Sequence, residues 1–111
     1  MRVKTQDYNN VTIVELQGEL TADFTDMFRD TCSSVIARSS AGIVLDMSRV
    51  GFIDSEALEQ LLWLRDFCRE NQCHLKLAGL AENCAKILEI TRLQDKFDRY
   101  AELAEAVKSF A

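Results

Sequence analysis

The chain has no proline, four glycines and one histidine, and aromatic residues fill only 8% of its 111 positions. Without proline it lacks the usual marker of a stiff interdomain linker, and no repeat, low-complexity tract or charge block divides it. No apolar run approaches the roughly 20 residues needed to span a bilayer. The opening Met1-Arg2-Val3-Lys4-Thr5-Gln6-Asp7 turns polar before a signal-peptide core could form. These absences predict a soluble, cytoplasmic chain with no direct membrane insertion, folded as one domain over residues 1–111. Basic clusters are missing too: 13 Lys and Arg stand against 18 Asp and Glu, a net charge of −5. Counterion release from a phosphate backbone needs clustered cations, so no nucleic-acid partner is expected.

Metal and nucleophile signatures are equally sparse. Cys32, Cys68, Cys73 and Cys84 have no CxxC spacing and no histidine set beside them. Cys32, Cys68 and Cys84 fall in helix-like apolar patterns, and all four read as reduced packing residues. A zinc or redox role would have only Cys68, Cys73 and His74 as loosely spaced ligands. Cys73 and His74 are adjacent, and neighbouring strand residues point to opposite faces, so they cannot pair as nucleophile and base. Asp46 and Asp54 could share a metal, but two carboxylates with no third ligand make a thin site. No phosphate-loop, dinucleotide or hydrolase fingerprint occurs, so neither enzyme activity nor a cofactor is expected.

What is present is alternation. Hydrophobic residues make up 48% of the chain, and a domain of this size buries roughly two-thirds of its unfolded surface. Val11 to Leu16 is β-branched and apolar, ended by Gly18, and residues 2–7 can pair with it as a hairpin through Asn9-Asn10. Phe24 to Ala37 carries apolar residues at helical spacing, with Asp23 as its expected N-cap. Ser39 to Gly42 reads as a small-residue loop. Ile43-Val44-Leu45 is continuously apolar, as a strand buried on both faces requires, and Asp46 closes it. A helix follows over residues 55–70, with Ala57, Leu61, Leu64 and Cys68 on one stripe and Asp54 as N-cap. Residues 75–79, 82–91, 97–100 and 101–110 read as strand, helix, strand and helix. The class is α/β: a mixed, mostly parallel sheet of four to five strands with about four helices.

Three segments carry a family resemblance. Leu45 to Ser55 runs from an apolar strand through a polar turn to Asp54-Ser55, which opens a helix continuing Glu56-Ala57-Leu58. Gly18-Glu19-Leu20 follows the second strand. Ile87-Leu88-Glu89-Ile90-Thr91-Arg92-Leu93 precedes Phe97 and Ala104-Glu105-Ala106. In this order and spacing they resemble the STAS domain of sulfate transporters and anti-sigma factor antagonists. The resemblance implies a partner-switching protein that performs no chemistry itself. It binds an anti-sigma factor that is also a serine kinase, and phosphorylation of the signature serine breaks the complex. The implied partner-binding residues are Gly18, Glu19, Thr21, Asp23, Asp54, Ser55, Glu56, Ala57 and Leu58.

The sequence departs from the family pattern at the phospho-acceptor, where Glu56 replaces serine and Ala57 replaces the following glycine. Thr21 stands where the family carries an acid. Glu56 can mimic a phosphorylated state, Ser55 or Thr21 can serve as acceptor, or the domain is a constitutive scaffold. A further reading keeps the fold as a subunit of a membrane transport complex, docked on an ATP-binding cassette protein. Glu56 also has a plain role, since a carboxylate in the first helical turn gains about 0.3–1 kcal/mol from the macrodipole. Trp63 lies seven residues after Glu56 on the same helical side, where it either meets a partner or packs; packing is the commoner use of such a ring.

Overall fold

The hairpin forms where the two asparagines place it. Strand β1 (Arg2–Tyr8) runs antiparallel to β2 (Val11–Leu20), with Tyr8 opposite Val11 and Asn9 at φ 56°. Asparagine tolerates this left-handed region, and two-residue turns that use it match the twist of the flanking strands. The computed structural model describes residues 2–38 and 41–110. Ser39 and Ser40, expected in a loop, lie outside the described residues, as do Met1 and Ala111.

Helix and strand then alternate: α1 (Thr25–Ala37), β3 (Gly42–Ile53), α2 (Ser55–Glu70), β4 (His74–Ala78), α3 (Glu82–Ile90), β5 (Asp98–Tyr100) and α4 (Leu103–Lys108). The sheet has the order β1-β2-β3-β4-β5, with β2 to β5 parallel. The result is the expected mixed, mostly parallel α/β sheet. Its middle strand explains the continuous apolar run. Ile43, Leu45 and Met47 pack in the cluster that holds Phe28 and Cys32 of α1, Leu61 and Leu64 of α2, and Cys84 and Leu88 of α3. Val44 packs in a second cluster with Val11, Ala78 and Ala106 of α4. Consecutive residues of β3 are thus buried in two separate clusters, each large side chain contributing about 1.5–3 kcal/mol.

Three local expectations give way to long-range contacts. Gly18 does not end β2: it sits at φ 119°, where pairing shifts from Gly18–Val50 to Glu19–Phe52 and Gly51 is the extra residue of a bulge. Glycine adopts that backbone at little steric cost. Asp46 does not close its strand, since β3 runs on to Ile53. The Asp46 carboxylate accepts from the Ser48 N–H at 3.1 Å and the Ser48 hydroxyl at 2.8 Å, beside a second register shift opposite Glu15 and Gln17. Asp23 does not cap α1. It lies inside a 3-10 turn, Ala22–Phe24, and makes no side-chain cap bond. The final helix is also shorter than residues 101–110.

All four cysteines are buried free thiols. Burial first, and the nearby Cys73 second, push Cys32 up to about 12; burial also raises Cys84. A thiol with a raised folded value contributes stability that is complete below its unfolded value, near 9, and is lost as pH climbs toward the folded value. Chain stability is therefore expected to fall above about pH 9, by about 1.4 kcal/mol per pH unit for each such thiol. Urea midpoints from about pH 8 to 11, compared with those of Cys32→Val, check this. An equal slope in both chains would remove Cys32 as the cause.

Candidate functional site: the first turn of the second helix

Parallel pairing brings the first two motifs together. Leu20 at the end of β2 stands opposite Ile53 at the end of β3, and the Asp54 N–H donates to the Leu20 carbonyl at 3.0 Å. Asp54 then does two jobs. One carboxylate oxygen accepts the Ala57 N–H at 2.8 Å and caps α2; the other accepts the Ala22 N–H at 3.2 Å and ties down the 3-10 turn. Bridging two chain segments by one side chain fixes Gly18 to Asp23 against the helix start, an arrangement that no local pattern encodes.

Ser55 and Glu56 occupy the first turn of α2 and are exposed. Across Asp54, Glu19, Thr21, Asp23, Phe24 and Met27 line a shallow depression of about 380 Å³. Glu19 and Asp23 are exposed, while Thr21 and Gly18 are half-buried. Met27 and Phe52, 47% and 45% exposed, add apolar surface near these acids. Acidic groups with apolar neighbours around a helix start suit contact with another macromolecule. Among the described residues no group of three His, Cys, Asp or Glu is placed to hold a metal, and no helix is long and apolar enough to cross a membrane.

Two expected contact residues are turned away. Ala57 and Leu58 are 0% and 7% exposed and belong to the core, because the third and fourth residues of α2 face the sheet. They support the site from beneath. Trp63 also leaves the open surface. It is half-buried against the core, stacks on Phe67 with ring centroids 5.1 Å apart, and carries the Arg29 guanidinium 4.8 Å from its centroid. Arg29 Nε also donates to Gln60 Oε1 at 2.6 Å, so α1 and α2 share a polar seam. Sequence reasoning missed this seam; the Trp63 and Phe67 pair, four apart on one helix, was its only local signal. Trp63→Ala is expected to cost about 2–3 kcal/mol, less than for a fully buried ring, read as a lower urea midpoint. A loss under about 0.5 kcal/mol would return Trp63 to the free contact residues.

Cys73 is buried and His74 exposed, so they do not converge. Solved structures of several proteins resemble this arrangement. A Thermotoga maritima protein described as an anti-sigma factor antagonist aligns with a TM-score of 0.89 and 19% identity, covering 96% of this chain and 92% of that one. The unphosphorylated anti-sigma factor antagonist SpoIIAA of Bacillus gives 0.83 and 17%, covering 98% and 96%. A sulfate transporter family protein of Wolinella succinogenes gives 0.82 and 19%, covering 92% and 85%. At these identities the likeness is one of fold. The sequence itself matches the family model of the STAS domain over residues 2–106, and the chain belongs to that family.

Proposed function

We propose that the chain is a cytoplasmic partner-switching protein of the anti-sigma factor antagonist type, acting by binding and not by chemistry of its own. Its partner is an anti-sigma factor with serine-kinase activity, through which it regulates sigma-factor-dependent transcription. The interface comprises Glu19, Asp23, Ser55 and Glu56, with Thr21 at its edge and Asp54 holding its two halves together. One observation carries the reading: the exposed first turn of α2, with Glu56 at the family's phospho-acceptor position, is fastened beside Gly18 to Asp23 by a single carboxylate. A partner touching that turn senses a change of charge there through repulsion and desolvation, which makes the switch local.

The test is co-purification and titration with the anti-sigma kinases encoded by the same source. Saturable binding that Glu19→Lys or Asp23→Lys weakens supports the proposal; absence of binding to every such kinase counts against it. The likeness to a sulfate transporter family protein, together with the loss of the acceptor serine, favours a second reading, in which the domain docks on a transporter ATPase. Retention on the ATPase and not on the kinases would select it.

A further inference from the structure

Helix α2 ends in a Schellman motif closed by two cysteines. Gln72 stands at φ 58°, its N–H donates to the Arg69 carbonyl at 3.3 Å, and the Cys73 N–H donates to the Cys68 carbonyl at 2.8 Å. This is the paired 5→2 and 6→1 pattern, in which the first and last side chains of the cap pack on each other. In most helices that contact joins two hydrocarbons; here the two positions are Cys68 and Cys73, both buried in the same core cluster. The backbone bond holds the two residues close, as a disulfide requires. Beyond packing, Cys73 Sγ donates one long bond, 3.9 Å, to the His74 carbonyl.

We propose that Cys68 and Cys73 are a dithiol modification site, which a hydroperoxide oxidises to an intramolecular disulfide across the C-terminal cap of α2. The two sulfurs are not equivalent. The neighbouring Cys68 thiol holds Cys73 below the usual thiol value, whereas Cys68 is raised by Cys73 beside it and by burial. Both thiols are buried, Cys73 at 4% exposure and Cys68 at 0%, and Cys73 lies between exposed Gln72 and His74. Cys73 is therefore the attacking group. Its thiolate sulfur bonds to one peroxide oxygen as the O–O bond breaks, giving a sulfenic acid and hydroxide, or an alcohol from an organic peroxide. Cys68 then attacks the Cys73 sulfur, the S–O bond breaks, and the hydroxyl leaves as water with the Cys68 proton. Two electrons pass from the thiols to the peroxide.

The experiment treats the reduced, folded chain with hydrogen peroxide, blocks remaining thiols with iodoacetamide, and maps tryptic peptides without reductant. Trypsin cuts after Arg65, Arg69 and Lys76, so Cys68 and Cys73 fall in separate peptides, residues 66–69 and 70–76. The expected result is one linked species that reductant splits, with Cys32 and Cys84 blocked as free thiols and the circular dichroism spectrum unchanged. In Cys68→Ser the linked species is lost and Cys73 is trapped as a dimedone adduct. Peptides that stay separate and fully alkylated, a bridge to Cys32, or a link that forms only in urea would each overturn the proposal. The wild-type map decides even if the serine variant does not fold.

Discussion

Asp54→Ala is expected to destabilise the chain by about 1.5–3 kcal/mol, more than an ordinary helix cap. Loss of an N-cap costs about 0.5–2 kcal/mol, and the Ala22 N–H loses its partner as well, which adds about 1 kcal/mol. The corresponding fall in melting temperature is roughly 10 °C for a domain of this size. Asp54→Asn separates the two contributions. Its single carbonyl oxygen can still accept the Ala57 N–H, but the amide NH2 faces Ala22 as a second donor, so this variant belongs midway. Thermal melts of the three chains, with amide exchange at Ala22 and Ala57, provide the measurement. An alanine variant as stable as wild type would show that the bridge at 2.8 and 3.2 Å does not hold the site together.

The contrast between α2 and its surroundings shows which parts of the fold local sequence could specify. The expected and observed spans of α2 coincide because cap, apolar stripe and C-terminal polar break are all local. Local patterning does not place Gly18, Asp23 and Asp46, because each has its role in a long-range contact. Gly18 and Asp46 sit beside bulges formed with a neighbouring strand, and Asp23 falls in a turn that Asp54 fastens from 32 positions away. The same distinction runs through the site. Exposure of Ser55 and Glu56 follows from their position in the first helical turn. The inward direction of Ala57 and Leu58 depends on where the sheet lies, and the Arg29–Gln60 bond spans two helices 31 residues apart. Local chemistry names the carboxylates; tertiary pairing decides which of them look outward.

Glu56→Ser is expected to bind the anti-sigma kinase about tenfold more tightly than wild type before ATP is added, and to be released after it. Glu56 carries one negative charge where phosphoserine carries about 1.5 to 2, so it is a partial imitation of the released state. Removing a charge worth about 1.4 kcal/mol at the interface changes the dissociation constant by about tenfold. Glu56→Gln tests the charge without restoring an acceptor: it should match the serine variant without ATP and stay bound when ATP is present. Ser55→Ala should follow wild type throughout unless Ser55 is the acceptor, in which case it alone loses the ATP response. The gap between wild type and the glutamine variant should narrow with added salt, because exposed charges are screened beyond about 10 Å at 0.1 M. Calorimetric titration at two ionic strengths reads all of this. Weaker binding by the glutamine variant would reverse the sign and make Glu56 an attractive contact of a constitutive scaffold. Equal binding by every variant would leave Glu56 with only its favourable place at the helix N-terminus.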